Sequence, residues 1–121
     1  MIHNRTKETA LIERVELADT FLKKLGGLMF SQPEELGLVF VYPTEQFISL
    51  HMFFVFYPID VLWLDSGGKV VFLKENFRPF TVVFPPVKAR FVVELPEGLI
   101  RASRTEVGDL IEIEGLAARG E

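Results

Sequence analysis

His51 is the one imidazole inside the patterned part of the chain, because the other histidine, His3, stands in the polar N-terminal stretch. Imidazole is the side chain that ordinarily titrates near neutrality, so His51 is the first candidate for a general base or a ligand contact. Asp60 or Asp65 could orient it. The plainer reading is a half-buried ring bonded to a backbone carbonyl. Asp60 shares a strand face with Leu62 and Leu64, and a buried acid on an apolar face must be hydrogen-bonded or paired. It is either a catalytic partner of His51 or an acceptor of local backbone N–H groups. Glu94 shares a face with Val92, and Arg78 or Arg90 could neutralise it. Such a buried pair is more often structural than catalytic.

The catalytic candidates are therefore His51, Asp60 and Glu94, in a hydrolase-type reaction. The ligand-contact candidates are His51, Trp63, Arg78 and Arg90. Trp63 and the Phe-rich run from Met52 to Tyr57 could line an apolar cleft, pack a core, or form an exposed aromatic patch at a subunit contact. Ser49 and Ser103 lack the G-x-S-x-G setting of a nucleophile elbow. Asp109, after Gly108, reads as a turn residue.

Composition narrows the chemistry. With no cysteine among 121 residues, disulfides, thiol nucleophiles and thiolate metal sites are excluded. Two histidines make a zinc centre an unusual ligand set, and neither a metal nor a cofactor is expected. The net charge of −4 and the lack of any basic run beyond Lys23-Lys24 argue against a nucleic-acid partner. The N-terminal stretch has no apolar signal core, and Met52–Pro58 is too short to span a bilayer, so no membrane partner and a soluble, cytoplasmic protein are expected. Two Asn, two Gln and abundant Glu and Lys lean towards a thermophilic source.

The elements that must position these groups are mostly short strands. Residues 1–9 read as loosely ordered and Leu11–Leu17 as a first strand with one wet face. Asp19 is placed to cap a short helix over Thr20–Leu25, ended by Gly26-Gly27, with a loop over Ser31–Glu35. Gly37–Tyr42 reads as a central strand stopped by Pro43. Phe47–Phe56 follows as one extended strand: Ile48, Leu50, Met52, Phe54 and Phe56 share one face, and Phe47, Ser49, His51, Phe53 and Val55 the other, both largely apolar and both expected to be covered. Ile59–Asp65 and Lys69–Leu73 form a hairpin across Ser66-Gly67-Gly68. Residues 74–86 carry three prolines and read as an edge segment or connection. Ala89–Leu95 is a further strand, Leu99–Thr105 one or two helical turns, and Leu110–Glu114 the last strand.

Gly27-Leu28-Met29, Gly37-Leu38-Val39-Phe40, His51-Met52 with Pro58-Ile59-Asp60, Glu94-Leu95-Pro96-Glu97-Gly98 and Gly108-Asp109 occur in an order that resembles domain-of-unknown-function family 192, the uncharacterised ancient conserved region proteins. The resemblance covers about residues 9 to 114. It implies a compact β-rich fold and supplies no activity. Many members carry Trp-Met-Lys-Asn where His51-Met52-Phe53-Phe54 stand here, and Arg soon after Gly-Leu-Met, where this chain has Phe30-Ser31-Gln32.

The reading as a whole is one α+β, mostly β domain spanning residues 1–121: a small, mainly antiparallel, partly closed barrel or curled sheet with one or two short helices. The apolar surplus and the scarcity of convergent catalytic groups favour a non-enzymatic module that binds a small molecule or a protein segment. A hydrolase using His51 with Asp60 or Glu94, and a structural homodimer, are the alternatives.

Overall fold

A computed structural model describes residues 1–18, 35–53 and 55–116. Its elements are β1 (Ile2–Asn4), β2 (Thr9–Ile12), β3 (Val15–Ala18), β4 (Gly37–Gln46), β5 (Leu50–His51), β6 (Ile59–Leu64), β7 (Val70–Phe77), β8 (Val82–Val83), β9 (Ala89–Pro96), α1 (Leu99–Ser103) and β10 (Ile111–Ile113). The described residues are mostly strand, with one short helix.

Strand β9 is the axis. It runs antiparallel to β4 on one side and to β6 on the other, and its residues 91–95 are all buried. A run of β-branched and aromatic side chains without polar alternation is what a strand covered on both faces requires. β7 extends the sheet beyond β6, and β3 joins β4 in parallel, giving the order β3-β4-β9-β6-β7.

Register then divides the side chains. Val93 lies opposite Val39 and Leu62, whereas Glu94 lies opposite Leu38 and Val61. Neighbours along a strand point to opposite faces. On one face Val39, Leu62, Leu64, Phe91, Val93 and Leu95 pack against Ile2, Leu11, Ile12, Ile111, Ile113 and Ile100. Those covering residues belong to a second, three-stranded sheet of order β10-β1-β2 and to α1. On the other face Leu38, Phe40, Val61, Trp63 and Val92 pack against Ile48, Met52 and Val55, with Leu50 and Val83 at the margin. The covering layer here is the two-stranded ribbon β5–β8 and its flanks. Each fully buried Val or Leu contributes roughly 1.5–3 kcal/mol, so the two cores carry the fold.

The hairpin of β6 and β7 forms as its turn residues require. Gly68 has φ 89°, and Asp65 Oδ1 accepts the N–H groups of Gly67 and Lys69, each at 2.9 Å. The Gly68 carbonyl also ties the turn to the second sheet, accepting the Ile111 N–H at 2.9 Å.

Several expectations need correction. The sheets do not close into a barrel among the described residues, because the N-terminal strands build a separate layer. Residues 1–9 are not loose: Ile2 and Asn4 are fully buried, and β1 is the central strand of its sheet, with His3 opposite Glu112. Leu11–Leu17 is two strands in two sheets, because consecutive Leu11 and Ile12 both turn inward and the alternation breaks at Glu13-Arg14. Pro43 does not stop β4. Its pairing with β9 shifts between Val41 and Gln46, an irregularity that absorbs the missing donor. Phe47–Phe56 is not one strand, since only Leu50 and His51 pair. The expected helix Thr20–Leu25 with its Asp19 cap, and residues 31–34 of the expected loop, lie outside the described residues.

Candidate functional site

The two buried acids of β6 and β9 are placed by register. Asp60 lies opposite Leu95 and is buried beside the core that holds Ile100. Its Oδ2 accepts the N–H groups of Gly98 at 3.1 Å and Ile100 at 2.9 Å, and its Oδ1 that of Asn76 at 3.0 Å. Gly98, the residue before α1, has no side chain to cap the helix, so a strand residue from elsewhere in the chain satisfies those donors. Asp60 is thus the acceptor of local N–H groups.

Glu94 points the other way, into the face of Leu38 and Val61. It is 9% exposed, and its Oε1 has no hydrogen-bond partner. Burial pushes its carboxyl up to about 8, so it is protonated at neutral pH. Tyr42 is pushed up as well, first by its own burial and then by the Glu94 carboxylate. Arg90 does not neutralise this acid. It stands four residues back along β9, roughly 13 Å of strand away, and its Nε donates to the Tyr42 carbonyl at 3.1 Å. Arg78 is exposed.

His51 is exposed on the ribbon that lies over the Glu94 face of the sheet. Its Nδ1 accepts the Phe53 N–H at 3.2 Å and its ring stacks on Phe53 with centroids 5.2 Å apart. That bond leaves Nε2 as the ring nitrogen that carries the hydrogen. Trp63 is fully buried in the floor beneath the ribbon. Its indole N–H donates to the Ile48 carbonyl at 2.9 Å, and Phe72 meets it edge-on at 5.2 Å. The structure therefore brings none of His51, Asp60 and Glu94 into contact. Among the described residues no group of three His, Asp or Glu gathers in metal-binding geometry.

What the structure does bring together is aromatic. Alternation along residues 47–53 turns Ile48 and Met52 inward and Phe47, Ser49, His51 and Phe53 outward. Across from them Phe80, Val82 and Phe84 are exposed, and Val82 lies directly opposite His51. Phe84 is 75% exposed, Phe47 64% and Phe56 60%. Phe56 and Phe80 meet edge-to-face at 5.6 Å, and the Lys88 ammonium lies 5.7 Å over the Phe47 ring. Edge-to-face packing and the cation hold these rings in place without covering them. Glu45 beside this face is held low by the Ser66 N–H that it accepts at 2.8 Å, with Lys88 and Arg90 adding to the effect.

Phe47, Ser49, His51 and Phe53 share one side, as the two-residue repeat expects. That side is uncovered where both were expected to be buried, and Val55 turns inward with Ile48 and Met52. Phe80, Phe84 and Lys88 were not singled out by sequence reading. The prolines Pro79, Pro85 and Pro86 around them are the signal that this segment lies at an edge.

No helix among the described residues is long and apolar enough to cross a membrane. A protein of the archaeon Thermococcus gammatolerans, from the uncharacterised group UPF0127, is 46% identical over 113 residues, covering 92% of this chain and 73% of its own length. A second relative of that group, from Thermococcus kodakarensis, is 46% identical over 115 residues, covering 92% of this chain and 71% of its own length. Two crystal structures share the fold. One, of unknown function, from Novosphingobium aromaticivorans, has a TM-score of 0.81 at 23% identity, covering 93% of this chain and 82% of its own. The other, a Sinorhizobium meliloti protein named as a candidate transcription regulator, has a TM-score of 0.76 at 24% identity, covering 81% of this chain and 79% of its own. Residues 2–113 match the family DUF192, uncharacterized ACR, and the chain belongs to it.

Proposed function

We propose that this chain is a cytoplasmic, non-enzymatic binding module whose binding surface is the outer face of the β5–β8 ribbon. The observation that carries the reading is the set of Phe47, Phe53, Phe56, Phe80 and Phe84, all exposed on one small ribbon that is pinned to the sheet by Ile48, Met52 and Val55. Contiguous exposed apolar surface of this kind is characteristic of interaction sites. A small molecule stacked on the rings, or a protein segment laid along β8, would gain from covering them, and His51 Nε2–H offers one polar contact within the apolar field. The alternative of a hydrolase has less support, because Asp60 is committed to the backbone of α1 and Glu94 lies behind the opposite side of β6 from it.

The test is binding of the dye anilinonaphthalene sulfonate to the native chain. Fluorescence enhancement is expected, reduced several-fold in the double variant Phe47→Ser with Phe84→Ser at an unchanged unfolding midpoint. A folded chain that does not enhance the dye would remove this face as a binding surface. Sedimentation of the same chain covers the homodimer: a dimer that the double variant dissociates would make the face a self-contact instead.

A further inference from the structure

We propose that the outer face of β5–β8 is a peripheral docking surface for an anionic lipid bilayer. The inference rests on the reading of that face as the binding surface and adds the identity of the partner. The first observation is charge. The segments that build and border the face, residues 45–58 and 78–90, hold Arg78, Lys88 and Arg90 against the single carboxylate of Glu45. They carry +2 within a chain of net charge −4, so the remainder carries −6. That excess of cations draws the face towards an anionic surface. The same arrangement disfavours a symmetric contact with a second copy, in which Arg78 and Lys88 would meet their own equivalents.

The second observation is how the rings stand. Phe47, Phe56 and Phe84 each expose three-fifths or more of their surface. A pocket for a rigid ligand buries its walls; a soft apolar layer beneath charged headgroups accommodates projecting rings with cations at their rim. Lys88 sits above Phe47 in that order, with ring and ammonium 5.7 Å apart. Arg78 is exposed two residues before Phe80. The association is peripheral, since it uses side chains of a sheet ribbon and no spanning segment.

Flotation of the full chain with vesicles of equimolar phosphatidylglycerol and phosphatidylcholine tests it. The chain is expected to float with these vesicles at low salt, to be released by high salt, and to remain in solution with phosphatidylcholine alone. Arg78→Glu and Lys88→Glu are each expected to weaken partitioning about fivefold or more. Phe47→Ser with Phe84→Ser is expected to weaken it at least tenfold, on the order of two buried aromatic side chains. Absence of flotation by the folded wild type overturns the proposal, as does equal binding to uncharged vesicles by the charge-reversed variants. Capture of a fluorescent single-stranded oligonucleotide in preference to the vesicles also overturns it, since stacking on a phosphate polymer would then explain the same rings. Dye enhancement without flotation sinks the lipid partner alone; loss of both sinks the binding face as well.

Discussion

Asp60 and Glu94 are the two acids buried in the sheet, on paired strands one step out of register, and they point to opposite faces of it: Asp60 is opposite Leu95, and Glu94 is opposite Val61. A carboxylate pair that looks available for shared acid–base work is divided by the thickness of a strand. One acid holds a helix start; the other is a neutral group in an apolar layer. Their removal should have contrary effects.

Asp60→Ala leaves three buried or half-buried N–H groups, of Asn76, Gly98 and Ile100, without their acceptor. The expected cost is about 2–4 kcal/mol, since each orphaned donor keeps its desolvation penalty. Urea unfolding measures it. A loss under about 0.5 kcal/mol would mean that water replaces the carboxylate.

Glu94→Gln should stabilise the chain at neutral and mildly alkaline pH. A carboxyl neutral in the folded chain and ionised in the unfolded one makes folding take up a proton. Wild-type stability should therefore fall as pH rises from about 4.5 towards about 8. The variant lacks that slope, and the gap between them should widen by up to ~5 kcal/mol across this window. Parallel stability curves would show that Glu94 is already ionised when folded.

Asp109 behaves in the opposite sense. Burial alone would raise it, but hydrogen bonds from the Asn4 amide, Lys7 and the Glu106 N–H hold its carboxyl below the usual range. Its contribution is present above the ordinary carboxylate range and is lost as pH falls through the folded value. Asp109→Ala should cost ~2–3 kcal/mol at neutral pH, less in strong acid, because Asn4 is left buried without this partner. Hydrogen exchange of β1 should accelerate with it; unchanged β1 protection would refute the link.

Gly68→Ala should be destabilising by more than a loop substitution ordinarily is. The residue has φ 89°, and a Cβ there would meet the Ile111 carbonyl oxygen at 2.8 Å. A cost of roughly 1–3 kcal/mol is expected from thermal unfolding. A neutral result would mean that the bond joining the hairpin tip to β10 is dispensable.

Trp63, the single tryptophan, should emit as a buried indole with little quenching by acrylamide in the folded chain. Ready quenching would contradict the layer formed by Ile48 and Met52 over it.

The sequence by itself determined the strand-rich class, the β6–β7 hairpin, the run of β9 and the short helix after Gly98, because each follows from local alternation and from turn residues with few conformations. It also grouped Phe47, Ser49, His51 and Phe53 on one side by the two-residue repeat, but that this side is uncovered was decided by the tertiary structure. Tertiary structure decided what distant pairing controls. Ile2–Asn4, polar in appearance, becomes a central strand because Asn4 donates to Thr105 and Asp109 a hundred residues later. Asp60 is a cap because α1 begins beside it, and Glu94 is neutral because its partner strands offer only Leu38 and Val61. Which aromatic side chains are core and which are surface was likewise decided in three dimensions. Trp63 and Phe84 differ little in apolarity, but only one lies between two layers.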